Sequence, residues 1–195
     1  MWKGKNVTVF VTGGIAAFKA ATLVRLFVKA GANVEVAMTK SACEFITPLT
    51  FQVLTKNKVH IDTFDEDEAN KVQHIHLADQ TDVAVVVPAT ANTIAKMANG
   101  IADNFVTSTL LATTAPIYVV PAMNEHMWEN PATVRNVKQL VEDGKSVIEP
   151  ATGFLAEGYT GKGRLPEPEE IFEQITFLES KRVSKSPLKG KSVLI

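Results

Sequence analysis

With 195 residues, 46% of them hydrophobic and 21% charged, and a net charge of −1, the chain has the composition of one ordinary globular domain. That balance excludes a disordered chain and a basic nucleic-acid-binding surface, and the apolar runs fall far short of the ~20 residues that span a bilayer. A single cysteine, Cys43, leaves no intrachain disulfide and no cysteine-based metal site; no metal is expected.

The early lysines of the amino terminus lead straight into a strand and a glycine turn, with no cleavage pattern, so the cytoplasm is the expected compartment. Asn6 to Thr12 is a β-branched run and reads as the first strand. It ends in Thr12-Gly13-Gly14-Ile15-Ala16-Ala17, a turn that either cradles a phosphate on backbone N–H groups or is simply tight. The G-x-G-x-x-G dinucleotide fingerprint does not occur there. From Ala17 to Ala30, the residues Ala20, Leu23, Val24, Phe27 and Val28 recur three and four apart and make one apolar helical face, with Gly31 as its stop. A second strand, Asn33 to Met38, is followed by Thr39, Lys40 and Ser41, whose hydroxyls suit a phosphate or cap a helix. Asp62 to Lys71 is acidic and reads as an exposed loop leading to the next helix. In Gln73-His74-Ile75-His76-Leu77-Ala78, either histidine can serve as a base or be structural.

The third strand, Asp82 to Val87, runs into Pro88-Ala89-Thr90-Ala91-Asn92-Thr93, small and hydroxyl-bearing residues that let a flat ring or phosphate approach the backbone. The fourth, Ile117 to Val120, ends in Pro121-Ala122-Met123-Asn124. Two strand ends of the same small, polar design point to one crevice. Asn124 can hold a substrate carboxylate or serve as an N-cap. Gly153 to Arg164 is glycine-rich and ends in Lys162 and Arg164, which suits a mobile flap over an anionic substrate or a solvated surface loop. Pro166 to Glu170 starts a helix expected to run to about Ser180, Lys181 to Lys191 reads as a linker, and Ser192 to Ile195 as a strand just begun. Apolar strands alternating with helices predict a three-layer α/β/α sandwich with a parallel, doubly wound, Rossmann-like (flavodoxin-like) sheet.

Taken in order, Gln73-His74-Ile75-x-Leu77, Pro88-Ala89-Thr90-Ala91-Asn92-Thr93-Ile94-Ala95-Lys96, Gly100-Ile101-Ala102-Asp103, Pro121-Ala122-Met123-Asn124-x-x-Met127-Trp128 and Gly161-x-Gly163-Arg164 resemble the flavin-containing cysteine decarboxylases. The likeness covers roughly residues 5 to 180 and is strongest to the branch that acts on 4'-phosphopantothenoylcysteine in coenzyme A biosynthesis. That branch is often fused to a synthetase, and Pro187 to Ile195 looks like the opening strand of such a second domain. The resemblance therefore implies an FMN-binding decarboxylase domain over residues 1–180, with a linker and the truncated start of a synthetase-like domain over 181–195.

It further implies that His74 is the acid/base, that His76 has no catalytic role, and that Asn124 contacts the substrate carboxylate. FMN would lie near Gly14, Ile15, Thr39, Thr90, Asn92, Ser108 and Met123. Neighbouring subunits would complete the site in a trimer-based homo-oligomer, a dodecamer being one such assembly; neither nucleic acid nor membrane is an expected partner. Lys162 and Arg164 would act from the flap. A flavin makes chemical sense here, because loss of CO2 leaves electrons that cysteine itself cannot accept. Oxidising the thiol-bearing carbon to C=S creates the sink, and returning the hydride afterwards restores the cofactor.

This chain departs from the family at Glu157, where many members carry a cysteine implicated in the final protonation. Glu157 could supply that proton from a closed flap. Cys43, distant in sequence, reads as a packed, inert residue. Three rival readings remain: a peptidyl-cysteine decarboxylase that releases the oxidised product, a non-catalytic flavoprotein subunit, and a nicotinamide-dependent oxidoreductase. The last is opposed by the missing glycine fingerprint.

Overall fold

The β-branched run Asn6–Val11 forms β1, and the apolar stripe that follows it forms α1 (Ala17–Lys29) in a computed structural model that describes residues 1–64 and 72–184. The chain continues through β2 (Asn33–Met38), a 3-10 turn (Lys40–Glu44), α2 (Pro48–Thr55), the short β3 (Val59–His60) and α3 (Gln73–Gln80). Next come β4 (Val83–Ala89), α4 (Ala91–Ala98), α5 (Phe105–Ala112), β5 (Ile117–Pro121), α6 (Glu125–Glu129) and α7 (Pro131–Glu142). The short β6 (Ser146–Val147), a hairpin of β7 (Ala151–Phe154) and β8 (Thr160–Arg164), and α8 (Pro168–Ser184) complete it. Most of the acidic stretch expected as a loop (65–71) and the expected opening strand of a further domain (within 185–195) lie outside the described residues.

The expected doubly wound sheet is present: six parallel strands in the order β3-β2-β1-β4-β5-β6. Alternate side chains of each strand feed two cores, which is why the strands read as apolar throughout. Val7, Val9 and Val11 of β1, with Val83, Val85 and Val87 of β4, pack against Ala20, Leu23 and Phe27 of α1, Phe51 of α2, and Ile171 and Ile175 of α8. On the opposite face Phe10, Ala84 and Val86 meet Leu77 of α3, Ile94 of α4, Phe105 and Leu110 of α5, and Leu140 of α7. Each large side chain buried in this way contributes about 1.5–3 kcal/mol.

The four strands read from sequence are found, with β4 reaching two residues further, to Ala89. The two-residue edge strands β3 and β6 carry too few residues to show a period. The glycine-rich segment read as either a flap or a surface loop is an antiparallel hairpin, Ala151–Phe154 against Thr160–Arg164, turned at Gly158. Its glycines serve close approach as much as looseness. An added Cβ at Gly163, whose φ is +148°, would collide with the carbonyl oxygen of Met123, while the Met123 N–H donates to the Gly163 carbonyl at 3.0 Å. The hairpin is thereby fastened to the end of β5.

Candidate active site

The strand order reverses between β1 and β4, whose following helices leave to opposite faces of the sheet, and a crevice opens at such a point. Thr12 ties its two walls together. Its hydroxyl donates to the Pro88 carbonyl at 2.6 Å and accepts from the Thr90 N–H at 3.0 Å. The turn after β2 joins them: an added Cβ at Gly13 would strike the Ser41 side chain and lie 2.9 Å from the Ser41 carbonyl carbon. A Cβ at Gly14 would lie 3.7 Å from the Thr90 methyl. Gly14, Thr39 and Thr90 therefore share one wall-to-wall edge with Ile15, which is 62% exposed.

The hydroxyls at this edge also cap helices. Thr39 Oγ1 accepts from Ala42 N at 3.2 Å and Thr90 Oγ1 from Thr93 N at 3.3 Å. Asn92 is exposed on the first turn of α4, and Met123, partly buried, follows β5 by two residues. Ser108 stands apart on α5, its hydroxyl directed to the Ala102 carbonyl at 3.5 Å. Small residues, close-set backbone and an exposed Ile15 side chain fit a flat, phosphorylated group laid across the strand ends.

His74 sits in the first turn of α3, with its ring edge-on to Phe105 at 6.4 Å between centroids. Phe105 in turn stacks on His60, the last residue of β3, at 5.1 Å, and His60 Nε2 lies 3.6 Å from a Glu35 carboxylate oxygen. His74 Nδ1 is buried and has no hydrogen-bond partner among the described residues. Native structures seldom leave a buried ring nitrogen unpaired, which makes His74 Nδ1 a candidate for contact with a ligand or an ordered water. Among the described residues no hydrogen bond joins His74 to Asn124 or Glu157, whereas Asn124 and Glu157 do meet.

Asn124 both caps and reaches. Its Oδ1 accepts from His126 N at 2.9 Å, opening α6, while Nδ2 donates to Glu157 Oε1 at 3.1 Å and to the Tyr159 hydroxyl at 2.9 Å. Lower on the hairpin, the Lys162 N–H donates to Glu125 Oε1 at 2.9 Å. Both expected substrate-binding cations are already paired. Lys162 Nζ lies 2.6 Å from Glu149 and 5.9 Å from the Trp128 ring centroid, and Arg164 lies 2.6 Å from Glu167. Glu167 also takes Lys19 of α1 at 2.9 Å; that hydrogen bond, with Lys19 and Arg164 charges behind it, holds its carboxyl below the usual range. Cys43 packs against the core, and burial, then the Glu44 charge, pushes its thiol up, consistent with an inert residue.

Several contributors escape a reading of the sequence. Thr12 shows only as a hydroxyl at the end of an apolar strand, and Glu125, Tyr159 and Phe105 owe their places to contacts between distant segments. The signal for Tyr159 was its position in the glycine-rich segment beside Glu157.

A doubly wound sheet with a small-residue crevice at its switch point is the architecture of a protein that binds a nucleotide-like cofactor across its strand ends. The chain belongs to the Flavoprotein family, whose model matches residues 1–178, and a flavin is therefore its class of cofactor. It is 51% identical over 197 residues to the coenzyme A biosynthesis bifunctional protein CoaBC of Bacillus subtilis (strain 168), covering all of this chain and 48% of that protein. The chain thus spans about half the length of this relative. Among solved structures, a PPC decarboxylase mutant complexed with pantothenoylaminoethenethiol superposes with a TM-score of 0.82 at 32% identity, covering 91% of this chain and 100% of that one. The FMN-dependent cysteine decarboxylase SpaF superposes with a TM-score of 0.77 at 30% identity, covering 92% and 99%.

Proposed function

We propose that this chain decarboxylates 4'-phosphopantothenoylcysteine to 4'-phosphopantetheine in coenzyme A biosynthesis, using FMN, as the decarboxylase part of a bifunctional protein that acts in the cytoplasm. The observation that carries the reading is Asn124. Its amide is fixed at the end of β5 by the α6 cap, and its amino group already grips a carboxylate.

When bound, FMN supplies the two-electron oxidation that makes the thiol-bearing carbon an electron sink, and the hydride that later restores it. The chain's own residues do the rest. Gly14, Ile15, Thr39, Thr90, Asn92 and Met123 would line the cofactor, with Ser108 reaching it only from its place on α5. Asn124 orients the substrate carboxylate, and His74 manages the proton from the start of α3. Glu157, on the hairpin tip, delivers the last proton to the carbon that lost CO2. Lys162 and Arg164 would reach the substrate phosphate by exchanging Glu149 and Glu167 for it.

Association of copies in a trimer-based homo-oligomer would cover the exposed apolar side chains beside the first turn, Ile15 at 62% and Phe18 at 58%. The deciding experiment is mass analysis of the product after the FMN-loaded protein meets 4'-phosphopantothenoylcysteine. Formation of 4'-phosphopantetheine is expected. A product two hydrogens lighter would sink the full cycle and favour an oxidative decarboxylase, and no loss of CO2 would sink the enzyme reading.

A further inference from the structure

Both amide N–H groups of Asn124 and one lone pair of its carbonyl oxygen are spent within the chain, and the way they are spent is informative. The carbonyl oxygen is committed to the α6 cap, which fixes the direction of the amide. Of the two amide N–H groups, one goes to a neutral hydroxyl, Tyr159, and the other to a carboxylate, Glu157. A residue assigned to a substrate carboxylate is thus found holding a carboxylate of its own flap.

Resting on the proposed function, we infer that Glu157 occupies on Asn124 the position that the substrate's carboxylate takes, and that Tyr159 is the positioning residue that keeps the amide aimed there while the two exchange. Exchange, rather than joint occupancy, follows from charge: two carboxylates on one amide repel, and the exposed Glu157 can swing into water. The hairpin is built for this. Its stem stays pinned through Met123 to Gly163 and Glu125 to Lys162, so the tip carrying Glu157 can release without loss of the flap. Once displaced into water, the Glu157 carboxylate can take up a proton there and return with it after CO2 has left. Tyr159 takes no part in the charge exchange, because it occupies the other N–H of the amide.

The test uses the FMN-loaded protein and two unreactive ligands, titrated by calorimetry: 4'-phosphopantothenoylserine, which keeps the carboxylate but lacks the thiol, and its counterpart without the carboxylate. Removing the internal competitor in Glu157→Ala should tighten the serine ligand about fivefold, the worth of roughly one hydrogen bond, and leave the other unchanged. Glu157→Gln, which keeps an acceptor without the charge, should fall between. Tyr159→Phe should weaken only the carboxylate ligand, by about the same factor. Weaker or unchanged binding of the serine ligand to Glu157→Ala, or an equal shift for both ligands, overturns the inference while leaving the proposed activity standing. Failure of the unaltered protein to bind either ligand overturns the substrate assignment and the inference together.

Discussion

The two ends of the sheet use polar residues in opposite ways. At the amino-terminal end, polar groups satisfy one another in the interior: Glu179 of α8, fully buried, accepts from the Tyr118 hydroxyl at 2.7 Å and from Arg182 at 2.9 and 3.2 Å, with Lys5 at 3.8 Å. Burial, and then the adjoining Glu179 carboxylate, push the Tyr118 phenol far above its usual range, so the phenol keeps its proton. At the carboxyl-terminal end, Thr39, Thr90 and Asn124 cap helix starts from partly exposed positions, and His74 Nδ1 has no partner among the described residues. A closed network fixes where α8 lies on the sheet. An open set of caps, aimed at a crevice, can exchange partners with a ligand, and that difference separates scaffold from site.

The sharpest way to break this contrast is at the unpaired histidine. His74→Asn should lower turnover by about a hundred- to ten-thousandfold, the usual worth of a general acid/base, with flavin absorbance and the unfolding transition unchanged. Normal turnover would remove His74 from the chemistry and make its unpaired nitrogen merely structural. The reverse pattern is expected at the other end. Arg182→Met should cost about 2 kcal/mol in urea unfolding, below the usual loss for a broken buried pair because Arg182 is half exposed and Tyr118 and Lys5 remain. Its KM and kcat should not move, and a change in either would show that the two ends are coupled.

Gly163→Ala probes the fastening between scaffold and flap. The backbone there has a positive φ and no room for a Cβ, so the variant must release the Met123 contact. Strain of this kind is worth about 1–3 kcal/mol, which should appear as an approximately tenfold rise in KM with the global unfolding midpoint little changed. A large loss of global stability would instead place the hairpin within the scaffold.

The sequence made the sheet legible because its signal is local. Each central strand is an uninterrupted apolar run, and the α1 stripe ends at Gly31 as its spacing demands. The two small-polar segments likewise lie side by side, at the ends of the paired strands β4 and β5. What escaped the sequence depends on distant meetings. The β7–β8 hairpin looked like loose glycine because Gly163 answers to Met123, about forty residues earlier, and the stack of His60, Phe105 and His74 joins three elements. Asn124 was read as either a cap or a carboxylate holder, and its geometry accommodates both, since oxygen and nitrogen of one amide face different partners.

The smallest expected effect lies where scaffold and flap share a residue. Glu167 binds Lys19 of α1 and Arg164 of the hairpin, and its carboxyl is held low chiefly by the Lys19 hydrogen bond. A carboxylate whose folded value is depressed stabilises the fold above its unfolded value of about 4.3, and that contribution is lost as pH falls through the folded value. Glu167→Gln should therefore be slightly less stable than the unaltered protein near neutrality, and the difference should shrink below about pH 4.3 until the two urea midpoints converge. Because the bridge is half exposed, added salt should reduce the gap as well. A gap that persists unchanged in acid would mean that Glu167 acts through packing, and that hairpin and helix are joined by shape instead of charge.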